Sequence, residues 1–191
     1  VISTPADVLD FWFEPATEAH WFARSHAFDD AVRERFGATL EAARRGDLDA
    51  WANTPEGWLA LLIVRDQFSR NVYRNDHRAW STDAGTQAIA LAGIARGYDQ
   101  ALSPLQRLFA YLPLEHAEDL ALQQHCVSLF ERLAAEQPEA ARARFKDFLD
   151  YARQHHDVIK RFGRFPHRNA VLGRADTPAE QAYLSTPGTG F

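Results

Sequence analysis

A single cysteine, Cys126, in 191 residues excludes an internal disulfide and points to a reducing compartment, the cytoplasm. No long apolar run is present either. The longest, Trp58 to Val64, falls far short of the ~20 residues that a membrane-spanning helix needs, and Val1 onward lacks the basic-then-apolar pattern of a leader. No membrane partner is expected. Positive charge is not in excess: 21 Lys and Arg against 26 Asp and Glu give a formal charge of −5, so the chain as a whole does not attract a phosphate backbone, and no nucleic-acid partner is expected. Gly-x-Ser-x-Gly, Gly-x-Gly-x-x-Gly, the P-loop and His-Glu-x-x-His are all missing. His116-Ala117-Glu118 matches the His-x-Glu of zinc deaminases, but those enzymes complete the site with Pro-Cys-x-x-Cys, which one cysteine cannot supply. His155 and His156 are neighbours, ~100° apart on a helix, and cannot share one metal in the usual way. A zinc site assembled from His116, His155 or His156, and His167 is not demanded by the spacing, so no metal and no cofactor are expected.

What is present is a core. Hydrophobic residues make up 46%, with five Trp and thirteen Phe, enough large apolar surface to offset the entropy of ordering the chain. Thr4-Pro5-Ala6-Asp7, Ser25 and Thr54-Pro55 read as helix starts, as do Ser81-Thr82-Asp83, Ser103-Pro104-Leu105-Gln106 and Thr177-Pro178-Ala179-Glu180. Phe28, Val32, Phe36 and Leu40 recur every four residues up to Gly46, an amphipathic helix with a glycine stop. The stretch from Glu56 to about Ser69 is apolar nearly all round in its middle and reads as a buried central helix. Leu105 to Leu112 forms a stripe that ends before Pro113. Leu122, Cys126, Leu129 and Leu133 form a wide arc, on which the Cys126 thiol is expected to be inert. Phe145, Phe148, Leu149, Ala152, His155, Ile159 and Phe162 lie on one face of the longest helix, turning His155 inward. The fold class is all-α: an antiparallel helical array of about seven to nine helices, forming a single domain over residues 1–184 with a flexible tail, 185–191.

Chemistry-bearing residues collect where apolar patterns stop. Asp66, Gln67, Arg70 and Asn71 follow the central helix. Glu115 and His116 follow Pro113, and Arg164, His167 and Arg168 sit in the turn Phe162 to Asn169. Planar guanidinium groups suit carboxylate and phosphate. Two readings of Arg65, Arg70, Arg164 and Arg168 stand side by side. In one they pair internally with Asp66, Glu115 or Glu118 and staple the C-terminal turn to the core, because buried charges persist only when paired. In the other they line a pocket for an anion, and both hold if one fork is left available. Glu118 and Asp119 read as acids at a helix start.

Val8-Leu9-Asp10-Phe11-Trp12-Phe13, Trp21-Phe22, Asp66-Gln67-Phe68-Ser69-Arg70-Asn71, Tyr111-Leu112-Pro113-Leu114-Glu115-His116 and Phe162-Gly163-Arg164-Phe165-Pro166-His167-Arg168-Asn169 together resemble, in this order, a bacterial family known as domain of unknown function nine-two-four. The resemblance implies an all-helical, tetratricopeptide-like fold and implies no activity. Ser69 stands where that family usually has proline, and Leu114 where it commonly has Phe. The sequence therefore supports a soluble helical binding module. Asp66, Gln67, Arg70, Asn71, Glu115, His116, Arg164, His167 and Arg168 would line a polar groove for an anionic small molecule or a peptide carboxylate. The alternatives are a hydrolase using Glu115 or a histidine as general base, with or without metal, and a structural or oligomeric scaffold contacting partners through Trp21 or Trp51.

Overall fold

In a computed structural model that describes residues 1–187, every regular element among the described residues is helical; the last four positions of the expected tail, 188–191, lie outside the described residues. The all-α expectation holds. The chain divides into two compact units, Val1–Pro113 and Leu114–Phe191. No described helix is long and apolar enough to cross a membrane.

The first unit opens with α1, Pro5–Trp12, started by a reciprocal capping box between Thr4 and Asp7. Eight residues cannot hold a helix alone, and α1 is anchored by burying Val8, Phe11 and Trp12. The Trp12 ring packs edge-on against Phe68 and Phe109, and Phe11 against Phe36. A short helix, α2 (Pro15–Glu18), leads to α3, His26–Arg45, capped by Ser25 and stopped at Gly46 in the left-handed region (φ 85). Trp21, offered above as an exposed contact, is instead only 8% exposed, and its Nε1 donates to the Trp12 carbonyl at 2.8 Å.

A 3₁₀ segment, Asp49–Asn53, precedes the central helix α4, Pro55–Ile63, in which every residue from Gly57 to Ile63 is buried. That helix does not end at Ser69. It widens into a π-helical turn over Val64–Phe68 and resumes as α5, Ser69–Val72. α6, Asp83–Ala95, crosses α4 closely at Gly93, where a Cβ would fall 2.1 Å from Trp58 Cε2. Trp58 Nε1 donates to the Ile89 carbonyl at 2.8 Å in the same contact.

α7, Pro104–Glu115, contains Pro113 rather than stopping before it. Proline lacks the N–H and crowds the preceding turn, yet it lies here only two residues from the helix end. Glu115 is consequently a helical residue, 2% exposed, and not part of a loop.

In the second unit α8, Leu120–Ala135, is capped by Asp119, whose carboxylate accepts from Leu122 N, and α9 follows as Glu139–Phe162. The two form a helical hairpin across buried Cys126, Leu129 and Leu133 on one side and Phe145, Leu149 and Ala152 on the other. Gly163 ends α9 in the left-handed region (φ 71) and releases the chain into the 3₁₀ turn Pro166–Arg168, then α10, Asn169–Leu172, and α11, Pro178–Leu184. Phe165 is fully buried and packs with Val158, Ile159, Phe162 and Tyr183.

Candidate functional site

The residues singled out by sequence lie in two groups, one in each unit, with different chemistry. In the first unit the π-helical turn falls on Asp66 and Gln67. Such turns are rare and concentrate at functional positions. Asp66 is 2% exposed and is held by Arg70, 2.9 Å from its Oδ1, while Gln67 Nε2 donates to its Oδ2. Arg70 also donates to both oxygens of Asp83, at 3.2 and 3.0 Å, and to the Asp66 carbonyl at 2.9 Å. Burial alone would lower the Arg70 pKa, but the two aspartates more than offset it and keep the charge in place. Asn71 donates to Asp29 at 2.8 Å, and Arg74 grips both oxygens of the same carboxylate at 2.6 and 2.8 Å. This group is a paired network, in which removing one member of a buried ion pair costs roughly 3–5 kcal/mol.

In the second unit Phe165 is the hub. The Arg168 guanidinium lies 4.5 Å over its ring, and the rings of His155 and His167 each stand 5.6 Å from it, centroid to centroid. His116 is 6.2 Å from His155. Arg168 Nη2 donates to the His116 carbonyl at 3.0 Å, which ties the turn after α9 to the end of α7. Gln123 fastens the same corner, donating to the carbonyls of Glu115 and Ala117. Beneath it, His155 Nδ1 is 3.0 Å from the Tyr151 carbonyl and 3.5 Å from Glu115 Oε1. A carbonyl only accepts, so Nδ1 carries the proton and the neutral ring keeps Nε2 as its basic atom. Burial holds the His155 pKa well below its ordinary value, and the positive charges of His116, His167 and Arg168 push the same way. The Cys126 thiol and the Tyr151 phenol are raised, first by burial and then by the Glu115 carboxylate. Glu115, His116, His167 and Arg168 are thus brought into one neighbourhood.

Arg164 has a different task. Its Nε and Nη2 bind the two oxygens of Glu180 at 2.6 and 2.8 Å, and Nη2 also reaches the Ala175 carbonyl at 2.8 Å. Glu180 in turn accepts from Thr177 N at 2.7 Å as the capping-box acid of α11, and the Arg164 and Thr177 bonds lower its pKa to about 2. Glu118, read from sequence as a helix-start acid, is a clamp. It accepts from Phe165 N at 2.7 Å and from Arg174 Nη1 and Nη2 at 2.6 and 2.9 Å. Arg174 donates further to the Phe165 carbonyl and to Asn169 Oδ1. Arg164 is thus paired internally, but with Glu180 rather than with an acid expected for it, and Glu118 pairs with Arg174; local sequence indicated neither partner. His155, Phe165 and Tyr151 also belong to the neighbourhood, though none of them was among the expected groove residues. The inward stripe of α9 carried a signal for His155 alone. Among the described residues, no three His, Cys, Asp or Glu side chains are placed to hold a metal ion.

An all-helical protein with one paired acid–arginine network and one buried histidine–arginine–carboxylate cluster is the class that fold and sites define. The family described as "Bacterial protein of unknown function (DUF924)" matches residues 8–188, and the chain belongs to that family. A solved structure of a protein of unknown function from Agrobacterium tumefaciens is 40% identical and similar at a TM-score of 0.84, covering 95% of this chain and 96% of that one. No curated protein matches this chain.

Proposed function

We propose that the protein is a cytoplasmic binding module that takes a carboxylate, on a small molecule or a peptide terminus, at the corner formed by His116, His167 and Arg168 over Phe165. The observation that carries this reading is the convergence of the Arg168 guanidinium, 4.5 Å over the Phe165 ring, with the His167 ring 5.6 Å from Phe165 and with His116, whose carbonyl accepts from Arg168 Nη2 at 3.0 Å. A guanidinium lying over an aromatic ring with an imidazole tilted beside it suits a planar carboxylate, and His116 and His167 are only partly buried. Asp66, Gln67, Arg70 and Asn71 fit a supporting role better, because their charges are matched among themselves. The formal charge of −5 supports a small or local anion over nucleic acid. Calorimetric titration with a free-acid dipeptide and with its C-terminal amide tests the reading. The acid should bind and the amide should not, and Arg168→Lys should weaken binding about tenfold, since an ammonium cannot both stack and fork. Equal binding of acid and amide overturns the proposal.

One observation favours a second reading. The Tyr151 carbonyl and Glu115 hold His155 Nδ1–H, the orientation that leaves Nε2 as a general base in hydrolases. With its pKa lowered, such a base would stay competent below pH 6.5, the ordinary value. At 2% exposure it is poorly placed to meet a substrate, which ranks this reading second. Ester hydrolysis that is abolished in His155→Gln and persists below pH 6.5 in the wild type would promote it.

A further inference from the structure

Gln123 leaves one acceptor unused at the corner where His116 and Arg168 meet. The residue stands in the first turn of α8, its backbone N–H bonded to the Asp119 carbonyl at 3.0 Å, and it is fully buried. Its Nε2 donates to the carbonyls of Glu115 and Ala117, at 2.5 and 2.9 Å, on either side of His116. The His116 carbonyl between them accepts from Arg168 Nη2 at 3.0 Å. Three successive carbonyls are taken up by two side chains, which seats the Gln123 amide directly beside the segment that carries the His116 imidazole.

The other atom of that amide is unmet. Gln123 Oε1 is buried and accepts no hydrogen bond. Flipping the amide does not relieve it, because Oε1 would then face the Glu115 and Ala117 carbonyls, acceptor against acceptor. Turning the side chain away would give up both Nε2 bonds. An acceptor stripped of water and left unpaired is expensive, and such a group calls for a partner. Oε1 and Nε2 share one carbon, so the unmet acceptor lies within the corner itself. What completes it must be a donor. The Arg168 guanidinium already sets a positive charge over Phe165, with the His167 ring beside it, so an ammonium would add like charge and a neutral N–H would not. A carboxylate bound to Arg168 brings a neutral N–H with it when its α-carbon carries an amide, as at the end of a peptide.

We infer that Gln123 Oε1 accepts the amide N–H next to the bound carboxylate, so that the ligand is a peptide C-terminus or an N-acylated amino acid, not a simple organic acid or a free amino acid. The inference rests on the carboxylate reading of the corner and narrows it to that class.

N-acetylglycine and acetoxyacetate test it on the unaltered full chain, because they differ only in an ester oxygen that replaces the amide N–H. Each is titrated by calorimetry and by ¹H–¹⁵N NMR of the glutamine side-chain amides. N-acetylglycine should bind about tenfold or more tightly than the ester, which sets an oxygen against Oε1. It should also shift the Gln123 Nε2–H₂ signals saturably, and glycine, with an ammonium in place of the amide, should bind more weakly than N-acetylglycine. Equal affinity for amide and ester, glycine binding as tightly as N-acetylglycine, or a preference for the amide with the Gln123 signals unmoved overturns this inference and leaves the carboxylate reading standing. If neither N-acetylglycine nor acetoxyacetate binds, the carboxylate reading falls and this inference falls with it.

Discussion

Glu118→Gln removes one charge and almost no volume, and it strikes the clamp that shapes the turn from Gly163 to Arg168. The carboxylate accepts three hydrogen bonds: one from Phe165 N and two from Arg174. The amide keeps an oxygen for Phe165 N but turns an NH₂ toward the guanidinium, so donor meets donor. A buried charge-assisted bond contributes about 1.5–3 kcal/mol. Both side chains are about a quarter exposed, 26% for Glu118 and 24% for Arg174, and solvent screening lowers the expected loss to roughly 1–2 kcal/mol. Urea denaturation at pH 7 should show it as a shift in midpoint at unchanged slope.

The pH dependence sharpens this prediction. Burial alone would raise the Glu118 pKa, but the bonds from Arg174 and Phe165 N, with the Arg168 and Arg174 charges, outweigh it and leave the folded value below the ordinary 4.5. A depressed carboxylate adds stability in full above its unfolded pKa and loses it as pH falls through the folded one. The gap between wild type and Glu118→Gln should therefore be constant from pH 7 to about pH 5 and close progressively below 4.5. A gap that is absent at pH 7, or that is undiminished once Glu118 is protonated, would refute the clamp.

Two further outcomes follow from packing and burial. Gly93→Ala forces a Cβ into the Trp58 indole and threatens its bond to the Ile89 carbonyl. Overpacking and a lost buried bond, less the ~1 kcal/mol helix gain of alanine, should leave it about 3 kcal/mol less stable by urea denaturation. A variant as stable as wild type would contradict that contact. Cys126, buried with its pKa raised well above 9.0, should react with a thiol reagent only on unfolding, and prompt labelling of the native chain at pH 8 would show the arc to be open.

Local grammar carried much of the fold. The Thr4 and Thr177 capping boxes, the Ser25, Thr54 and Asp119 caps and the glycine stops at 46 and 163 are set by residues within a turn of one another, so they could be read directly. The π-helical turn could not. The carbonyl of Arg65 within it accepts from the hydroxyl of Thr82, just before α6, a partner 17 residues away that no local pattern indicates. The helical place of Glu115 was hidden by Pro113, which lacks an N–H and commonly ends a helix, yet lies inside α7 here. At the candidate site, Glu115, His116, His167 and Arg168 were visible as polar residues interrupting apolar patterns. The Glu118–Arg174 clamp joins positions 56 residues apart, and no spacing rule links such a pair. Phe165, visible in the sequence only as part of the turn's motif, is fully buried and lies under the Arg168 guanidinium.

The central claim is that His116, His167 and Arg168 form a carboxylate site over Phe165 with neutral His155 beneath. Histidine-selective ¹⁵N NMR of the full chain during titration with a free-acid dipeptide tests it most directly. The account predicts saturable shifts of the His116 and His167 imidazoles, with His155 remaining a neutral Nδ1–H ring throughout. Silence at His116 and His167, with shifts confined to exposed rings such as His77, would contradict it.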